Sequence, residues 1–136
     1  MVYDLIIIGS GPAGLAAAIY AARARLSFLV LEKMPLSGGQ IFNTYEVENY
    51  PGVPTIGGFE LGMKLREHAE HQGAEMIHIE VRHISLEEQG RIKVLYTDGK
   101  EYRAHTVILA MGAKYRTLGI PGEKELTGMG VSYCAT

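Results

Sequence analysis

The apolar positions of this chain first gather in a run without helical spacing. Val2-Tyr3-Asp4-Leu5-Ile6-Ile7-Ile8 is short and continuous and is bounded by Gly9-Ser10-Gly11-Pro12-Ala13-Gly14, which predicts a buried strand entering a turn. An alanine-rich stretch from Leu15 to Arg25 then reads as a helix, and Ser27-Phe28-Leu29-Val30-Leu31-Glu32 reads as a second strand closed by an acid. Within Phe59 to Gln72, Leu61, Leu65 and Ala69 recur at four-residue spacing beside Met63, predicting a second helix that stops at Gly73. Ala74 to Val81 predicts another strand through the partly alternating Met76-Ile77-His78-Ile79. From Val81 the pattern changes to short strands, Val81 to Leu86 and Arg91 to Tyr96, with Glu101-Tyr102-Arg103 returning after the hairpin turn Thr97-Asp98-Gly99-Lys100. His105 to Ala113 is a last strand ending in glycine, placed beside the first if the sheet is parallel. The pattern predicts an α/β fold, a Rossmann-like parallel sheet with an antiparallel β excursion lying over it.

Chemistry concentrates in the opening strand, glycine turn, helix and strand, which together form a dinucleotide-binding fingerprint in its expected context. Gly9 lets the strand turn sharply, Gly11 has no side chain to hold a diphosphate off the helix start, and Gly14 lets the helix pack close to the sheet. Pro12 suits the first helical turn, and the free amides there attract an anion. Glu32 lies near the expected offset of about 20 residues, where a strand-end carboxylate accepts adenosine ribose hydroxyls. The same charge disfavours a 2′-phosphate in this site. A glycine turn with no ligand is the plain alternative.

Lys33 to Thr55 has little periodicity, and a long irregular segment in a compact domain often covers a ligand. Gly38 and Gly39 permit close backbone approach, and Gln40 and Asn49 carry amides suited to the edge of a ring with mixed carbonyls and nitrogens, such as an isoalloxazine. Those amides could equally tie the loop to its own backbone. Gly112 could admit a ribose or diphosphate, or only turn the chain. His68, His71, His78 and His83 mix helix and strand positions without a compact ligand set, so no metal site is expected.

Composition narrows the picture. The chain has 136 residues and a formal net charge of -2, with no electrostatic reason to expect nucleic acid or an anionic membrane as a partner. Its apolar runs are strand-sized, far short of a membrane span. The first strand begins at once, leaving no room for a signal peptide, and Cys134 is the sole cysteine, so a cytoplasmic location is expected. Residues 114–136 have no helix or strand pattern of useful length and read as a linker after a domain spanning 1–113, whose sheet lacks a closing strand.

In order along the chain, Gly9-Ser10-Gly11-Pro12-Ala13-Gly14, Gly38-Gly39-Gln40, Glu46-Val47-Glu48-Asn49-Tyr50-Pro51-Gly52, Ile108 to Ala113, Gly119-Ile120-Pro121-Gly122-Glu123 and Gly130-Val131-Ser132-Tyr133-Cys134-Ala135-Thr136 resemble the amino-terminal part of bacterial low-molecular-weight thioredoxin reductases. Met111, where that family commonly has threonine, and Met129, where a basic residue is common, are minor departures. The resemblance implies an FAD-binding portion, incomplete without the family's returning carboxy-terminal segment. It implies cofactor contacts from Gly9, Ser10, Gly11, Pro12, Ala13, Gly14, Glu32, Lys33, Gly38, Gly39, Gln40, Asn49, Val81, Ala110, Met111 and Gly112.

In the complete family protein, electrons pass from NADPH through FAD and a Cys-Ala-Thr-Cys disulfide to thioredoxin, in a homodimer. Cys134 matches the first redox cysteine. The second would follow Thr136, and the NADPH domain also lies beyond these residues, so the chain alone is expected to be inactive. A ferredoxin-linked thioredoxin reductase or a peroxide-system disulfide reductase could share the pattern. A non-catalytic flavin module or a plain NAD domain are the other readings.

Overall fold

The computed structural model describes residues 1–133. Strand β1 (Val2–Ile8) enters the glycine turn as its pattern requires. Helix α1 (Pro12–Arg23) starts at Pro12 rather than Leu15, because proline's fixed φ suits the first turn, and ends at Arg23 rather than Arg25. Arg25 has φ 58, a left-handed conformation that cannot continue the helix. Strand β2 (Phe28–Glu32) lies parallel to β1, with Leu5 opposite Phe28 and Ile8 opposite Leu31. Helix α2 (Gly58–His71) follows, and Gly73 beyond it has φ 97.

Three predicted strands change identity. The run from Ala74 to Val81 divides into β3 (Met76–His78), parallel to β2, and the start of β4 (Val81–Glu87). After β5 (Ile92–Thr97), the predicted returning strand and the predicted last strand are one element, β6 (Glu101–Leu109). Its first part pairs antiparallel with β5, and it runs parallel to β1 from Arg103 opposite Val2 to Leu109 opposite Ile8. It stops at Leu109 rather than Ala113. Ala110 N–H makes the last bond, to Ile8 O at 2.8 Å, and the chain then leaves the sheet.

The strand order is β3-β2-β1-β6-β5-β4, so β3 and β4 stand at opposite ends. Only Ile79 and Glu80 separate them in the chain. A flat sheet at about 4.8 Å per strand would hold its edges ~24 Å apart, whereas three residue steps reach at most ~11 Å. The sheet must therefore curl enough to bring the end of β3 and the start of β4 within that reach. The antiparallel excursion lies over the parallel half, as predicted, while remaining hydrogen-bonded to it through β6.

This curl makes two cores. Leu5 and Ile7 of β1, with Val30, are covered by Leu15, Ala18 and Ala21 of α1 and Ala69 of α2. The alternate residues Ile6 and Ile8, with Leu29 and Leu31, meet Leu95, Tyr102 and Ala104 inside the curl. Burial on both faces explains why β1 reads as a continuous apolar run rather than an alternating one. Each fully buried isoleucine contributes roughly 1.5–3 kcal/mol.

Candidate dinucleotide-binding site

The site lies at the carboxyl ends of the parallel strands, where open α/β sheets place ligands. Gly9 has φ 102, and its N–H donates to Leu31 O at 2.8 Å. A β-carbon there would lie 2.3 Å from Ala110 O, so the turn and the end of β6 are pressed together. Gly14 closes the turn from the other side, since its β-carbon would lie 1.9 Å from Gly9 O. Gly11 differs. It has φ -72, and a β-carbon would meet only Gly39 Cα, at 3.9 Å. Gly11 and Gly39 thus lie side by side, with no side chain between them.

Helix α1 starts beside this glycine pair. It has no side-chain cap, and Leu15 N–H donates to Gly11 O at 3.0 Å. The amides of Ala13 and Gly14 precede that ladder, and Pro12 has none to offer. First-turn amides and the helix dipole together favour an anion.

Glu32, at the end of β2, faces the turn. The backbone N–H and hydroxyl of buried Ser10 donate to Glu32 Oε2 at 2.6 and 2.8 Å, and Met34 N–H donates to Oε1 at 2.9 Å. These bonds take three of about four acceptor positions on a carboxylate. Two ribose hydroxyls therefore find full acceptance only if the Ser10 hydroxyl turns away. Next to it, Lys33 O lies 2.9 Å from His78 Nε2. Ile79 N–H donates to Glu32 O at 2.8 Å, and half-buried Val81 follows, where β4 shifts register.

The irregular segment is ordered by backbone contacts. Gly38 N–H donates to Ser10 O at 2.9 Å, which fastens the loop to the glycine turn. Gly39–Asn43 forms a 3-10 turn against α2, and a β-carbon on Gly58 would lie 1.8 Å from Ile41 O. Beyond it, Val47 pairs with Ile56 and Tyr50 with Val53 in isolated bridges. Gln40 Nε2 donates to Ala113 O, joining the loop to the chain beyond β6. Asn49 is exposed between the bridges, and no hydrogen bond joins it to Gln40 among the described residues. Met111 is exposed and Gly112 faces open space.

The contacts above thus join the glycine turn, Glu32, Gly38, Gly39, Gln40 and the segment from Ala110. Cys134 lies outside the described residues. Among the described residues no three His, Cys, Asp or Glu side chains come together as a metal site, and no helix is long and apolar enough to cross a membrane.

The sequence reading missed Glu123. This buried acid lies within the segment read as a linker. Its Oε1 accepts Leu118 N–H at 2.7 Å and the Tyr133 hydroxyl, and its Oε2 accepts Gly119 N–H at 2.6 Å. The Tyr133 hydroxyl and then the backbone amides hold its carboxyl below the usual carboxylate range. Reciprocally, Tyr133 is pushed up to about 12, first by the bond to Glu123. The available signal was an acid directly after Pro121-Gly122. Such local capping leaves no periodic trace.

The sequence profile of the pyridine nucleotide-disulphide oxidoreductases matches residues 3–136, and the chain belongs to that family. It is 50% identical over 134 residues to a thioredoxin reductase of Bacillus subtilis, covering 98% of this chain and 42% of that protein. The crystal structure of Lactococcus lactis thioredoxin reductase in its FR conformation superposes with a TM-score of 0.83 at 48% identity, covering 98% of this chain and 43% of the other. A ferredoxin-flavin thioredoxin reductase from Clostridium acetobutylicum also superposes, with a TM-score of 0.74 at 37% identity, over 97% of this chain and 45% of the other. The chain therefore spans about 42% of the length of the Bacillus relative it matches.

Proposed function

We propose that these residues are the FAD-binding portion of an NADPH-dependent thioredoxin-disulfide reductase. The observation that carries this is the uncapped start of α1 at Gly11, with Gly39 beside it and Glu32 on the same turn. Residues 1–113 hold the flavin nucleotide, and 114–136 lead to a disulfide and nicotinamide unit outside these residues. Ala13 and Gly14 would receive the diphosphate on their amides, with Gly11 admitting it and Glu32 accepting a ribose hydroxyl. Lys33 and Val81 would border the adenosine end. Gln40, Asn49, Ala110, Met111 and Gly112 would border the flavin end. When bound, FAD would supply two-electron transfer between nicotinamide and disulfide.

Cys134 is assigned the first redox position. As a thiolate it can attack a disulfide, but these 136 residues hold no second cysteine to resolve the product. Taken alone they are therefore proposed to lack turnover with thioredoxin, whereas the whole protein acts as a homodimer on thioredoxin in the cytoplasm. The Clostridium match favours ferredoxin as a second candidate donor, because the residues that select a donor lie elsewhere.

Equilibrium titration of the chain with FAD, FMN and NAD+ tests the site. FAD is expected to bind at least tenfold more tightly than either, and Glu32→Ala to weaken FAD more than FMN. Equal affinity for NAD+ and FAD would overturn the assignment.

A further inference from the structure

We propose that His78 is a positioning residue for Glu32 and acts through the peptide between Lys33 and Met34. The proposal rests on the reading of Glu32 as the acid that accepts a ribose hydroxyl of FAD.

The carboxylate of Glu32 is held from two sides. Its Oε2 accepts the backbone N–H and the hydroxyl of Ser10 at 2.6 and 2.8 Å, and its Oε1 accepts Met34 N–H at 2.9 Å. That Met34 N–H shares one peptide unit with the Lys33 carbonyl, and His78 Nε2 lies 2.9 Å from Lys33 O. A carbonyl oxygen only accepts, so the imidazole donates from Nε2. The peptide is trans and planar, and its carbonyl and N–H point in opposite directions. With the carbonyl on His78 and the N–H on Glu32, the rotation of that plane is fixed at both ends.

His78 is itself tied to Glu32 through the main chain. It stands opposite Glu32 in the parallel pairing of β2 with β3, and the next residue, Ile79, donates its N–H to Glu32 O at 2.8 Å. Lys33 is the first residue past that pairing, so the imidazole takes over where the strand ladder ends. Lys33 and Met34 are both exposed, and without His78 their peptide is free to turn its N–H to water. Glu32 Oε1 would then lose its donor. A carboxylate already oriented loses less freedom when a hydroxyl binds it, and linked hydrogen bonds polarise one another. FMN carries no adenosine ribose, so the positioning of Glu32 acts on FAD alone.

The test is titration of the full chain with FAD and with FMN, for the parent, His78→Ala, His78→Gln, Glu32→Ala and the His78→Ala/Glu32→Ala double variant. Loss of one solvent-exposed hydrogen bond corresponds to about threefold in an equilibrium. His78→Ala should weaken FAD by about that factor and leave FMN within 1.5-fold. His78→Gln keeps an N–H donor on a side chain of similar reach and should recover most of the loss. Because His78 acts through Glu32, the double variant should bind FAD no more weakly than Glu32→Ala. In the ligand-free chain, the Met34 amide should exchange its hydrogen about threefold faster in His78→Ala, with the Ile79 amide unchanged.

Equal losses for FAD and FMN would make His78 a mere tie at the sheet edge and overturn the proposal. So would tighter FAD binding in His78→Ala, which would mean that a freed acceptor position matters more than orientation. Multiplicative effects in the double variant, or unchanged Met34 exchange, would also overturn it. A parent chain that does not prefer FAD to FMN would remove the ribose reading of Glu32, while faster Met34 exchange in His78→Ala would still support positioning of that carboxylate by His78.

Discussion

Gly14 sits so close beneath Gly9 that a β-carbon on it would lie 1.9 Å from the Gly9 carbonyl oxygen. The approach is backbone to backbone, so no side-chain rotation relieves it. Gly14→Ala should therefore lower stability by about 3 kcal/mol, the upper range for forced overpacking, by shifting α1 off the sheet. Thermal unfolding of the ligand-free chain checks this, and an unchanged Tm would show that the turn relaxes freely.

Gly11 should behave in the opposite way. Its φ of -72 suits any residue, and a β-carbon would meet only Gly39 Cα at 3.9 Å. Gly11→Val should leave the ligand-free Tm nearly unchanged yet weaken FAD binding more than tenfold, because the added methyls crowd the helix start proposed to receive the diphosphate. Flavin fluorescence titration beside a melting curve makes the comparison. Equal affinity in parent and variant would move the diphosphate elsewhere.

Glu32 joins stability to binding. Its Oε2 accepts both the N–H and the hydroxyl of Ser10, which is fully buried. Glu32→Ala strands both donors and should cost about 2 kcal/mol. Ser10→Ala removes only the hydroxyl and frees an acceptor position on the carboxylate. It should therefore preserve or improve FAD affinity, and calorimetric titration of the two variants should separate them. Loss of FAD binding in Ser10→Ala would assign the hydroxyl itself to the ligand.

The Glu123–Tyr133 contact sets a pH window for the segment after β6. Glu123 has a lowered folded pKa, so its contribution is present above its ordinary value of 4.5 and is lost as pH falls through the folded value. Tyr133 has a raised one, so its contribution is present below 10.0 and is lost as pH rises through about 12. Subtracting the 295 nm titration of Tyr133→Phe from that of the parent isolates this phenol. Its ionisation is expected near 12, falling towards 10 in Glu123→Gln; a midpoint near 10 in the parent would contradict the contact.

Local order makes much of this protein legible in its sequence. The run Val2 to Ile8, the spaced glycines and the acid at Glu32 are neighbours in sequence or nearly so. Their roles follow from strand periodicity, backbone sterics and the amides of a helix start. The hairpin at Thr97-Asp98-Gly99-Lys100 was equally local, and Thr97 N–H does donate to Lys100 O at 3.0 Å. The motifs along the chain also identified its family, because their order is far more specific than any one of them.

Pairing was decided in three dimensions. Apolar spacing says that Tyr102 and Val107 are shielded from water, but not that they belong to one strand shared between β5 and β1. Nor does it say that Ile79 and Glu80 bridge the two edges of a curled sheet. The link from Gln40 to Ala113 is a single side-chain contact across a long stretch of chain, and the knot at Glu123 is a set of side-chain bonds in a segment without periodic pattern. Periodicity records which positions leave water. Which groups then meet depends on how the sheet closes, because a hydrogen bond acts over about 3 Å wherever the backbone brings donor and acceptor together.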